Sequence, residues 1–187
     1  MTWLLDWFPH LRDSITPEEQ PTATATNNSG SHHARRESGA GFCTFNDVAV
    51  AAKLLLADGS IDRALVVDLD VHQGDGTAEI CAGDGRIRTV SMHAAKNYPA
   101  RKKISSIDVE LPDGVRDAAY LETLDWLLPQ TTEDFAPDIV FYNAGVDPHA
   151  EDRLGRLALT DAGLRARDRA VFSWFRSRSI PIVSVMG

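Results

Sequence analysis

The stretch Ala64-Leu65-Val66-Val67-Asp68-Leu69-Asp70-Val71-His72-Gln73-Gly74-Asp75-Gly76 constrains this chain more than any other. It opens as a short apolar, β-branched run, the pattern of a fully buried strand. It closes on two glycines flanking an aspartate, a composition that stops a strand and turns the backbone. In extended chain, residues i, i+2 and i+4 share a face, so Asp68, Asp70 and His72 leave the strand end in one direction. Three ionisable groups aimed together from a buried strand are costly unless something pairs them, and a cation is the obvious candidate. A carboxylate plus an imidazole suits zinc, iron or another first-row divalent ion better than calcium or magnesium.

A lone Asp-x-His at a strand end is more often a turn aspartate beside a solvated histidine. Three further features favour a hydrolytic metal site: the adjacent Gly74-Asp75-Gly76, the pair His32-His33, and Asp147 after a second apolar strand. Asp70, His72 and Asp147 are the candidate ligands, and three protein ligands leave positions open for water and a substrate carbonyl. Judged alone, Asp147 reads equally as a turn residue before Pro148. His32 and His33 lie in a Gly/Ser loop, where adjacent histidines are commonly solvent-exposed. An unperturbed histidine titrates near neutrality, which suits acid–base work once a partner fixes its tautomer. Asp68 and Asp75 are then carboxylates beside the ligands with no task that spacing assigns.

Along the chain, strand-like and helix-like runs alternate. Met1–Leu11 is a short aromatic-rich segment, and residues 17–31 read as a loop or linker rich in Thr, Asn, Ser and Gly. Asn46 is placed to cap a helix running to Ala57. Strands follow at 64–69, 87–93, 107–111 (a small edge strand), 138–143 and 180–186. A short helical piece spans 77–81. A helix capped by Asp117 should end or kink at Pro129, and another, capped by Thr160 or Asp161, runs to about Ser177. This alternation predicts an α/β fold with a mostly parallel sheet between helices. Ligands in such sheets bind outside the carboxyl ends of the strands, where Asp70, His72 and Asp147 fall.

At 187 residues the chain is most simply one domain. A net charge of −8 argues against a nucleic-acid binder, which needs a basic footprint. Cys43 and Cys81 give no disulfide framework, so a reducing cytoplasm is the default. No apolar run approaches the roughly 20 residues of a membrane helix.

The segments Ser31-His32-His33-Ala34, Gly41-Phe42-Cys43-Thr44-Phe45-Asn46-Asp47, Val67 to Thr77 and Ala144-Gly145-Val146-Asp147-Pro148 resemble the histone deacetylase family of the arginase/deacetylase superfamily. Lys96-Asn97-Tyr98-Pro99 and Asp152-Arg153-Leu154-Gly155-Arg156 look like its class IV-like branch found in many bacteria. On this resemblance residues 1–28 are a non-matching N-terminal segment and linker, and 29–187 a partial histone deacetylase-like domain of three-layer arginase/deacetylase-like fold. The resemblance implies a zinc-dependent hydrolase (iron(II) being the alternative metal) that removes acyl groups from lysine side chains or small acyl-amines. It implies that Asp68 orients His32 and Asp75 orients His33, with His33 as general base and His32 contributing electrostatics. Gly41 and Phe42 would form a tunnel wall facing Tyr98; that Phe42 is ordinary core is the minority reading on composition. A structural potassium ion would match Asp68, Asp70, His72 and Ser91.

Two departures qualify the resemblance. Ser29-Gly30 stands where the family has Gly-Gly before the histidine pair. The family's further N-terminal elements, and the tyrosine that follows its final strand, have no counterpart here, so the chain reads as incomplete at both ends. A catalytically impaired fragment is therefore one alternative. An arginase-like binuclear manganese hydrolase is another, disfavoured because Gly74 occupies the position of its further carboxylate.

Overall fold

Every residue of strand β2 (Ala64–Asp68) is buried, and its side chains divide by parity between two apolar clusters. In the computed structural model, which describes residues 23–186, Leu65 and Val67 join one cluster and Ala64 and Val66 the other. The first cluster includes Tyr120, Leu124, Leu127 and Leu128 of helix α3 (Asp117–Thr132) and Val171 and Phe175 of α4 (Asp161–Arg176). The second holds Val48, Ala49, Ala52 and Leu56 of α1 (Asp47–Ala57), with Cys81 at the end of α2 (Asp75–Cys81). Helices therefore cover both faces of the sheet, and the period-2 alternation of the strand assigns each residue to a face. Asp68 continues the parity of Ala64 and Val66, which directs it to the α1 side.

Strand β2 is hydrogen-bonded along both edges, to β3 (Ile87–Ala94) and to β5 (Ile139–Asn143). β4 (Ile107–Leu111) flanks β3, β6 (Ile182–Met186) flanks β5, and β1 (Ala23–Ser29) lies outside β6. The order is β1-β6-β5-β2-β3-β4, with every pairing parallel. From β2 the chain moves outward through β3 to β4. From β5 it moves the opposite way, to β6. The carboxyl ends of β2 and β5 thus flank the point where strand order reverses, the place such sheets keep for ligands.

The expected α/β layering holds, with instructive local differences. Residues 23–29, expected as loop, form an edge strand. Thr and Ala alternate there without a strong apolar pattern, and the open edge of β6 supplies the ladder that their sequence does not announce. Asp117 begins α3 without capping it; its carboxylate instead accepts from the backbone N–H and hydroxyl of Thr160, at 2.9 and 2.6 Å, joining the starts of α3 and α4. Pro129 does not end α3, which continues to Thr132 with Leu128 and Thr131 buried. The Met1–Leu11 segment lies outside the described residues. Among the described residues no helix is long and apolar enough to cross a membrane.

Asn46 does cap α1, its Oδ1 accepting from Ala49 N–H at 2.9 Å. Its Nδ2 lies 3.0 Å from Thr77 Oγ1, 3.2 Å from the Ala34 carbonyl and 3.4 Å from that of His32. One buried amide thus starts the helix and anchors the loop that carries the histidines. Asn46→Ala is expected to cost about 2–3 kcal/mol in urea denaturation, combining a lost cap with lost buried donors. Asn46→Asp keeps the capping oxygen and loses the donors, so it should also destabilise. Wild-type stability of Asn46→Asp would show that the Nδ2 contacts contribute nothing.

Candidate active site

β2 ends at Asp68, one residue before its expected limit, and the carboxylates themselves turn the chain. Asp68 Oδ1 accepts from the Asp70 N–H at 3.2 Å, and Asp70 Oδ1 from the His72 N–H at 2.8 Å. Such side-chain bonds to the backbone two residues on favour turns over strand. Asp70 and His72 nevertheless converge with Asp147, reached from the end of β5. One ligand atom of each lies within 4.8 Å of the others. His72 Nδ1 is 3.0 Å from Asp70 Oδ1 and 2.9 Å from Asp147 Oδ2. Asp147 is fixed from its other oxygen, which accepts from Val71 N–H at 2.9 Å. At Gly145 a Cβ would come within 2.5 Å of Asp70 Oδ2, so glycine there is required for the two strand ends to approach. Two carboxylate oxygens and one imidazole nitrogen within 4.8 Å of one another suit a first-row divalent ion, so the residues present fit the metal inferred from the sequence.

The histidine pair lies beside this cluster and is buried, contrary to the solvent-exposed alternative. His32 Nδ1 is 2.7 Å from Asp68 Oδ2, and His33 Nδ1 is 2.6 Å from Asp75 Oδ1. The two Nε2 atoms meet at 3.1 Å. An ionised carboxylate only accepts, so each Nδ1 carries a proton. The Nε2 atoms can then bond each other only if one ring is an imidazolium and the other neutral. The electrostatics name which. Burial pulls His32 down, but the charges of Asp68 and Asp70 and the Asp68 hydrogen bond outweigh it and raise its pKa to about 10. His33 is lowered, by burial first and by the neighbouring His32 charge, with its Asp75 bond opposing. His32 is the cation and His33 the free base.

At the candidate ligands, burial depresses His72, yet its bonds to Asp147 and Asp70 carry it up to about 9. Burial also favours the neutral form of Asp70, which the His32 charge and the His72 bond override, leaving it below the usual range. Burial keeps Asp147 above its usual value. The protein's own groups therefore crowd protons and negative charge at one point, the charge pattern a bound cation would relieve.

Gly41 and Phe42 both have positive φ, 53° and 65°. Phe42 is fully exposed, which removes the core reading, and it lines a cleft of about 620 Å³ together with His33, Asp70, His72, Tyr98 and Asp147. The Tyr98 ring stands edge-on to His33 at 4.7 Å between centroids. Ser91 is buried and is the register partner of Asp68 across β2 and β3, with its hydroxyl 3.0 Å from His93 Nδ1. Asp68 and Ser91 thus lie on neighbouring strands, while the side chains of Asp70 and His72 turn towards Asp147.

Sequence reasoning missed several residues that hold this arrangement. Asn143, the register partner of Asp68 on β5, donates from Nδ2 to Asp68 Oδ1 at 3.0 Å. Arg35 reaches Asp75 Oδ2 at 2.8 Å, and with His33 it keeps the Asp75 carboxyl below the usual range against burial. Gln73 spans to the Lys103 backbone and to Asp108. A polar residue closing an apolar strand, as Asn143 does, was the available signal. For Arg35 and Gln73 there was none.

Comparison with known proteins agrees with this geometry. The histone deacetylase domain model matches residues 10–187. An uncharacterised Picosynechococcus protein is 46% identical over 84% of this chain and 53% of its own length. Histone deacetylase 2 of Arabidopsis thaliana is 35% identical, over 82% of this chain and 41% of its own. A probable deacetylase of Archaeoglobus fulgidus is 34% identical, over 71% and 39% respectively. The crystal structure of a histone deacetylase homologue from Aquifex aeolicus superposes with a TM-score of 0.73 at 26% identity, covering 84% of this chain and 45% of that one. The chain therefore spans about half the length, or less, of the relatives it matches. Through the domain match, the relatives and the shared fold, the chain belongs to the histone deacetylase family.

Proposed function

We propose that this chain carries the catalytic centre of a metal-dependent deacetylase acting on acylated lysine side chains or small acyl-amines. The observation that carries the reading is the meeting of two His–Asp pairs, joined at 3.1 Å, beside a cluster of two carboxylates and an imidazole. Asp70, His72 and Asp147 would hold the metal, with zinc preferred and iron(II) the alternative. When bound, such an ion supplies Lewis-acid polarisation of the amide carbonyl and lowers the pKa of a water.

The remaining roles belong to the chain's own residues. His33, neutral and oriented by Asp75, takes a proton from the attacking water at Nε2 once that lone pair is released from the His32 N–H, and returns it to the leaving amine. His32, charged and held by Asp68, stabilises the negative charge that develops on the carbonyl oxygen. Gly41, Phe42 and Tyr98 line the cleft that would clasp the methylenes of an acyl-lysine, whose charge the acyl group has removed. A potassium ion near Asp68, Asp70, His72 and Ser91 belongs to the same reading as a structural ion. Cys43 and Cys81 are both free thiols, which fits a reducing, cytoplasmic setting.

Elemental analysis of the purified chain should show near-stoichiometric zinc or iron. Asp70→Ala and Asp147→Ala should each remove most of it. Two tightly held manganese ions per chain would move the case to a binuclear hydrolase.

In protein that deacetylates an acetyl-lysine peptide in a chelator-sensitive way, His33→Ala is expected to lower kcat by about 10²–10⁴ with metal content unchanged. A His32→Ala variant that is the more damaging of the two, beside a nearly silent His33→Ala, would reverse the assignment.

A further inference from the structure

Arg167 of α4 is the largest fully buried side chain of the described residues, 1% exposed, in the layer that also holds Tyr120, Tyr142 and Phe175. A guanidinium there has lost its water, and such burial is costly unless every donor is satisfied. Charge neutralisation is local: Nε and one terminal nitrogen lie 2.9 and 2.8 Å from Asp168 Oδ1, which also accepts from the Tyr142 hydroxyl at 2.6 Å. That pairing accounts for one side of the fork. The other side, Nη1, donates to the Gly145 carbonyl at 2.6 Å and lies 3.3 Å from the Leu69 carbonyl.

Those two carbonyls are not arbitrary. Leu69 immediately precedes Asp70 and lies one residue past the end of β2. Gly145 is two residues before Asp147 and lies past the end of β5. The Leu69 N–H still donates to the Asn143 carbonyl at 3.1 Å, and past that bond no backbone hydrogen bond among the described residues fixes how far apart the two segments stand. On the ligand side they already press together, since Gly145 has room for no Cβ against Asp70. Arg167 grips both segments from the opposite face.

We propose that Arg167 is a positioning residue of the metal centre: its buried guanidinium joins the backbone before Asp70 to the backbone before Asp147 and so sets the separation of the two carboxylate ligands. The inference rests on the reading of Asp70, His72 and Asp147 as metal ligands. A planar fork suits the task. It can bind Asp168 on one edge and two carbonyls on the other, a geometry that lysine's single ammonium does not reproduce.

The test is titration of the metal-free 187-residue chain with cobalt(II), whose visible absorption reports ligand geometry, alongside circular dichroism and melting of the metal-free form. Wild type, Arg167→Met, Arg167→Lys and Asp70→Ala are compared. Arg167→Met should bind cobalt about 10–100-fold more weakly, the usual effect of losing a partner that orients ligands, with an altered absorption spectrum. Arg167→Lys, which keeps the charge, should show the same spectral change with a smaller loss of affinity. If both variants fold, melt lower and yet bind cobalt with wild-type affinity and spectrum, Arg167 is merely structural and the proposal fails. If Arg167→Met does not fold, the affinity and spectrum of Arg167→Lys decide the matter in the same way. Equal binding by wild type and Asp70→Ala would instead overturn the metal site itself, and this inference with it.

Discussion

Asp68 is a carboxylate only 3% exposed at the end of a strand buried at every position, and the need to satisfy it organises the site. Removing one partner from such a buried pair typically costs about 3–5 kcal/mol, because the other charge is left uncompensated. Asp68 therefore gathers partners from three parts of the chain. One oxygen takes the His32 ring, and the other takes Asn143 of the neighbouring strand and the Asp70 N–H. The same contacts that make burial tolerable draw the histidine loop onto the sheet and turn the chain so that Asp70 and His72 face the cleft. Stability and placement of the chemical groups are here one requirement.

The two histidines show how environment separates identical side chains. They are adjacent in sequence, each holds a carboxylate through Nδ1, and their Nε2 atoms touch. They differ in what surrounds that carboxylate. Asp68 has no cationic side chain against it beyond His32, so its field falls on that ring, reinforced by Asp70. Asp75 shares its charge with Arg35, whose guanidinium takes the second oxygen. Burial lowers His33 first, its Asp75 bond opposes that, and the charged His32 beside it weighs further against a second proton. One charged and one neutral imidazole follow from two carboxylates bearing on His32, and from burial and the His32 charge bearing on His33.

Much of this was legible in the sequence, and the divide is physical. The α/β class, the buried strand and the convergence of Asp70, His72 and Asp147 came from local pattern: alternation, turn glycines, and polar groups at strand ends. Phe42, for which composition kept ordinary core as a minority reading, proves fully exposed at the cleft. The edge strand at 23–29 was not legible, because its ladder is supplied by β6 and its own residues read as linker. Arg35 and Arg167 were not legible either, and Asn143 offered only its place as a polar residue closing an apolar strand. Each acts on a group far away in sequence, at a distance fixed by tertiary packing, and none falls in a periodic pattern. Asp117, expected as a helix cap, serves instead to tie two helix starts together, because a capping-type residue is satisfied by any donor the fold brings near.

Strand order explains how Asp70, His72 and Asp147 can meet from separate segments at all. β2 and β5 are neighbours, yet the chain leaves them in opposite directions, so their carboxyl ends open a gap that neither crossover fills. Into that gap β2 sends Asp70 and His72 and β5 sends Asp147. Past the Leu69 N–H, which donates to the Asn143 carbonyl, no backbone hydrogen bond among the described residues spans that gap. Contacts on both sides compensate. On the cleft side Val71 N–H meets Asp147, and on the helical side Arg167 meets two backbone carbonyls. The close approach at Gly145 leaves little slack between them. The centre is thus held from two opposite faces by groups that do no chemistry, and the spacing of the carboxylates is set by the packing of α4 as much as by the strands that carry them.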